Sequence, residues 1–109
     1  MRITDVESHS ICPPYHDFND HTLQRYHGPL IQSRTVYVLH TDTGLQGIGE
    51  AVGHGHDEDM LREKCVGTDP FDWINAAADL GLNMATYDLM GKHLGLPAWK
   101  LMGPRVRSW

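Results

Sequence analysis

"RTVYVLHTDTGLQGIGEA", residues 34 to 51, decides the architecture. Residues 34 to 41 are rich in β-formers, and Asp42-Thr43-Gly44 carries turn chemistry before residues 45 to 51 return. Gly44 can supply the positive φ that such a turn needs, so the stretch reads as an antiparallel hairpin. Side chains alternate along a strand, which sends Val36 and Val38 to one face and Tyr37 and Leu39 to the other. A sheet wetted on one side alternates apolar with polar residues. This strand is apolar on both sides, so both faces need a cover.

Before the hairpin, residues 2 to 12 read as a first strand that ends at the breaker Pro13-Pro14. Residues 13 to 33, "PPYHDFNDHTLQRYHGPLIQS", show no hydrophobic period and read as a long loop, a type that is usually functional in a compact domain. After the hairpin the pattern turns helical. "DEDMLREKCV", from Asp57, has acidic residues first and basic ones later, in accord with the helix dipole. A second helix start has Thr68 or Asp69 as cap and Pro70 at the first helical position. Ala78, Leu82, Ala85 and Leu89 then form one apolar stripe for the sheet, with Gly81 or Gly91 permitting close backbone packing. "YDLMGKHLGLPAWKLMG", residues 87 to 103, is a helix stopped at Gly95-Leu96-Pro97 and followed by a helical stub closed by Gly103. Strands first and helices afterwards give an α+β domain: a three-stranded antiparallel β-meander followed by a short helical bundle.

Composition excludes several classes. A net charge of −5 in 109 residues argues against nucleic acid or an anionic membrane as partner, because both need clustered Lys and Arg. No run approaches the ~20 apolar residues of a membrane-spanning helix, and the polar start "MRITDVESHSI" is not a secretory signal. Cys12 and Cys65 lack metal or redox spacing and read as free thiols in a reducing cytoplasm.

"TDTGLQGIGEA" (41 to 51), "VGTDPFD" (66 to 72) and "MATYDLMGKHLGLPAWKLMG" (84 to 103) together resemble one family. It is the N-terminal capping domain of the mandelate racemase/muconate lactonizing enzyme branch of the enolase superfamily. The likeness runs over essentially the whole chain; Tyr87 stands where the family usually has Trp, and the helical region between Glu50 and Met84 looks shorter than usual. The resemblance implies an enolase N-terminal domain-like fold and a role as part of a lyase or isomerase. The parent enzyme would be an acid-sugar dehydratase, racemase or cycloisomerase that removes a proton next to a substrate carboxylate with the help of Mg²⁺. The metal and the catalytic base would lie in a (β/α)₈ barrel of roughly 250 residues, expected to follow residue 109. Residues 1 to 109 then form one non-catalytic domain without a cofactor of its own. Its expected partners are its own barrel and a carboxylate-bearing substrate. An uncovered sheet face and the segment around Trp99 would favour self-association.

Two segments carry the candidate contacts. In the resembling family the connection between the first two strands closes over the substrate, which makes Tyr15, His16, Tyr26 and His27 candidate lid residues. "GHGHDED", residues 53 to 59, offers His54 and His56 as further substrate contacts, with Gly53 and Gly55 giving lid-like freedom. The rival reading is a stand-alone binding module using His54 and His56, since His-x-His in an extended segment can begin a Zn²⁺ site. Glu50 reads as a polar anchor at a strand end, and Asp88 with Lys92 as an i,i+4 surface pair.

Overall fold

Strand β1 (Ile3–Ile11) pairs antiparallel with β2 (Arg34–Thr41), which pairs antiparallel with β3 (Gln46–Val52). The computed structural model describes residues 1–28, 33–74, 80–104 and 106. The β2–β3 turn forms where expected: Gly44 has φ +79°, and its N–H donates to the Thr41 carbonyl at 3.0 Å. This is the predicted α+β meander.

Between β1 and β2 the structure departs from the expected loop. Residues Asp17–His27 form helix α1, with Asp17 and Asp20 in its first turn and Arg25 and His27 in its last. Those charges match the helix dipole. No residue of α1 is buried. A helix that buries no residue has no strong apolar stripe to select, so hydrophobic period could not reveal it.

Helix α2 (Glu58–Cys65) begins as the sequence indicates: the Asp57 carboxylate accepts from the N–H groups of Asp59 and Met60. Leu61 and Cys65 enter the core, where burial raises the Cys65 thiol pKa. Cys12, by contrast, is exposed. Asp69 caps a short 3-10 turn, Pro70–Trp73, by accepting from the Phe71 N–H at 3.0 Å. Helix α3 (Leu80–Leu94) follows, and a second 3-10 turn, Ala98–Leu101, closes the described helices. Of the expected stripe, Leu82, Ala85 and Leu89 are buried; Ala78 lies outside the described residues. No helix among the described residues is long and apolar enough to cross a membrane.

The core lies between one sheet face and the helices. Ile3, Val6, Tyr37 and Leu39 meet Leu61, Cys65, Leu82, Ala85 and Leu89 there. Helix α3 approaches β3 so closely that only glycines fit beneath it. A Cβ on Gly49 would stand 1.8 Å from the Gly81 carbonyl oxygen, and one on Gly47 would stand 2.3 Å from that of Ala85. Gly81 in turn makes room for the Tyr37 ring. Gly91 lies against the Leu96 carbonyl and admits the turn that follows α3.

The other sheet face is open. Val36 and Val38 are half-buried there, and their β3 neighbour Ile48 is exposed. Charged groups share this surface: Glu7 accepts from or pairs with His40 at 2.6 Å and His9 at 2.9 Å, while Arg62 pairs with Asp5 at 2.8 Å. The His9 and His40 hydrogen bonds hold the Glu7 carboxyl below its usual pKa, and the Arg62 guanidinium does the same for Asp5. Both sheet edges are shielded. The Ser8 N–H of β1 donates to Glu58 at 3.0 Å. On β3 the Ile48 N–H donates to Asp88 at 2.9 Å, and Lys92 donates to the Gln46 carbonyl at 2.7 Å. The Asp88–Lys92 surface pair therefore also blocks a strand edge that could template pairing with another chain.

Candidate functional site

Both connections with candidate contacts leave the sheet from the same end. Ile11 at the end of β1, Arg34 at the start of β2 and Val52 at the end of β3 are register neighbours. From Ile11 the chain passes Pro13-Pro14 to Tyr15 and α1; from Val52 it turns through Gly53 to Asp57. Meander topology forces this convergence, because alternate connections of antiparallel strands lie at the same end.

Residues 53 to 56 are fastened, which corrects the expectation of glycine-given freedom. The Gly53 N–H donates to the Ser33 carbonyl at 2.8 Å, and Thr35 Oγ1 donates to the Gly53 carbonyl at 2.8 Å. The His56 N–H donates to the hydroxyl of fully buried Tyr37 at 3.2 Å. Gly53 takes φ +85° to make the turn. Gly55 is needed for its small size, since a Cβ would come within 2.5 Å of both Tyr37 and Thr35. The loop backbone is thus tied to β2, while the His54 and His56 residues remain exposed.

On the other connection, Arg34 Nη2 donates to the Tyr15 hydroxyl at 2.6 Å. His16 precedes α1 and makes no side-chain cap; its carbonyl accepts from the Asp20 N–H at 2.9 Å. Tyr26 and His27 lie in the last turn, about 15 Å along the helix at 1.5 Å per residue. Both are exposed, with the Arg25 guanidinium 6.0 Å from the Tyr26 ring centre. The fold therefore brings Tyr15, His16 and the 53–56 loop to one sheet end, and places Tyr26 and His27 at the far end of an exposed helix.

No protein-family model matches the chain. Solved structures do. A mandelate racemase/muconate lactonizing enzyme from Jannaschia sp. CCS1 superposes with a TM-score of 0.65 at 19% identity, over 98% of this chain and 32% of its own. An enolase from Agrobacterium radiobacter, solved with Na and L-malate, gives 0.64 at 26% identity, over 98% of this chain and 29% of its own. A dipeptide epimerase from Enterococcus faecalis V583 gives 0.65 at 22% identity, over 94% and 33%. This is the capping-domain fold of the mandelate racemase/muconate lactonizing enzyme branch. The chain spans about a third of the length of these structures.

In this chain, the described residues offer no group of three or more His, Cys, Asp or Glu side chains able to hold a metal ion. His54 and His56 find no third His, Cys, Asp or Glu ligand among them. What this end of the domain can supply is shape and directed polar contacts: phenol, imidazole and guanidinium groups on backbone held by β2. Sequence reasoning missed Arg34. The signal available was a lone Arg at the start of a strand, and nothing local distinguishes it from an ordinary surface cation.

Proposed function

We propose that this chain is the substrate-specificity cap of an enolase-superfamily enzyme. Its barrel, joined to this domain, would bind Mg²⁺ and abstract a proton next to the carboxylate of a small substrate. Acid-sugar dehydration, racemisation and cycloisomerisation are the reactions that fit. The observation that carries this reading is the convergence of the 12–33 and 53–57 connections at one sheet end. Five of the eight histidines, His16, His21, His27, His54 and His56, lie in these two connections. In this reading Tyr15, His16, Tyr26, His27, His54 and His56 face the substrate, and binding energy from such remote contacts supports turnover at the reacting centre. The correspondence to about a third of each solved structure supports a separate barrel as the main partner. The open face with Val36, Val38 and Ile48 would also favour self-association in the domain alone.

The test compares three proteins: residues 1 to 109 alone, the barrel alone, and the two joined. Mg²⁺-dependent deuterium exchange next to the carboxylate is followed for acid sugars, hydroxy acids and dipeptides. The domain alone should show none, and the joined protein should show it with a defined substrate preference. His54→Ala with His56→Ala should raise KM for the preferred substrate about tenfold or more, the scale of one or two lost polar contacts. Turnover by the domain alone, or an identical substrate profile for barrel and joined protein, would sink the proposal.

A further inference from the structure

We propose that Arg34 is a positioning residue: it sets where α1 stands by clamping the Tyr15 hydroxyl against the start of β2. The guanidinium is engaged on several sides. Nη2 donates to the Tyr15 hydroxyl at 2.6 Å, Nη1 donates to the Ser33 carbonyl at 2.9 Å, and Nε pairs with Glu50 on β3 at 3.0 Å. One planar fork thus ties the root of the first connection to the adjacent strand, a geometry that a lysine ammonium cannot reproduce. Its side chain is 19% exposed, whereas that of Glu50 is 53% exposed, so the socket opens to solvent on the β3 side.

The importance of this clamp follows from what α1 lacks. Helix α1 buries no residue, and Phe18 and Tyr26 are 79% and 72% exposed. Of its apolar residues only Leu23 is half-buried, so apolar burial holds its orientation weakly, and an isolated helix of eleven residues is marginal in water. Pro13 and Pro14 restrict the backbone just before Tyr15. A fixed Tyr15 thus becomes a fixed first turn for the helix. On the capping reading, on which this consequence rests, Arg34 aims the α1 side chains without meeting the substrate itself. Glu50, an apparent strand-end anchor, becomes the opposite jaw of the clamp.

Amide ¹H–¹⁵N residual dipolar couplings on residues 1 to 109 test this without turnover, so the result is independent of the capping reading. In the parent, couplings from α1 and from the sheet should fit one common alignment. In Tyr15→Phe and Arg34→Lys, α1 couplings should shrink to below about half of their parent magnitude while sheet couplings hold, as for a segment that has gained mobility. Tyr26→Phe, at the far end of the helix, should change neither. Unchanged α1 couplings in Tyr15→Phe would overturn the proposal. So would a loss shared equally by sheet and helix, or a parent in which α1 already reorients apart from the sheet. If Arg34→Lys fails to fold, Tyr15→Phe decides alone, because it removes only one hydroxyl.

Discussion

Gly49→Ala should unfold at a temperature roughly 15 °C below the parent, a loss of about 3 kcal/mol or more. The added Cβ would lie 1.8 Å from the Gly81 carbonyl oxygen, 2.7 Å from the Ala85 nitrogen and 2.9 Å from the Gly81 carbonyl carbon. All three are backbone atoms of α3, so no side-chain rotation relieves the overlap. The helix would have to lift by well over an ångström, since carbon contacts are comfortable only near 3.5 Å. Lifting α3 would also part Leu82, Ala85 and Leu89 from Tyr37 and Leu39, opening voids in the core. Domains of this size hold only about 5 to 15 kcal/mol in total, so the variant would keep little reserve. Gly53→Ala is the control. Its Cβ would meet nothing within 4 Å, and only the φ of +85° penalises it, by about 1 to 2 kcal/mol. Urea unfolding followed by circular dichroism reads both; a Gly49→Ala loss smaller than that of Gly53→Ala would refute the close-approach account.

Tyr37→Ala should be the most damaging single truncation, costing about 3 to 5 kcal/mol. The ring is fully buried, stacked beneath Gly81 of α3, and its hydroxyl accepts from the His56 N–H. Core and loop meet in this one residue. Tyr37→Phe separates the two roles, because the ring stays and only the hydroxyl goes. It should cost about 1 kcal/mol, the ordinary net value of one hydrogen bond. That loss should be concentrated in faster amide exchange across residues 53 to 57, with β2 protection nearly intact. Exchange that rises uniformly, or not at all, would show that the hydroxyl does not fasten the loop.

Much of this was written locally. Asp42-Thr43-Gly44 specifies its turn because only a residue tolerant of positive φ closes it, and Gly44 takes φ +79°. Asp57 and Asp69 cap their helical turns because their carboxylates reach N–H groups two or three residues ahead. The spacing of Leu82, Ala85 and Leu89 marks a buried helix face whatever lies opposite.

Other features exist only once distant segments meet. In the sequence Gly44, Gly47 and Gly49 look alike. The first serves backbone conformation and the other two serve the approach of α3, which depends on residues more than thirty positions away. Asp88 and Lys92 announce a surface pair by their spacing, but their hydrogen bonds to the β3 edge depend on how α3 lies across the sheet. Helix α1 escaped detection because it buries no residue, and hydrophobic period records only burial. The Tyr15–Arg34–Glu50 clamp joins three elements through one guanidinium, with no local spacing to betray it. The β2–β3 hairpin, the caps and the core-facing stripe are legible in the sequence, because each is settled by neighbours a few residues apart. Only the tertiary structure decided which glycines are contact sites, which loop is fastened and what holds the exposed helix, because those depend on distances between elements far apart in the chain.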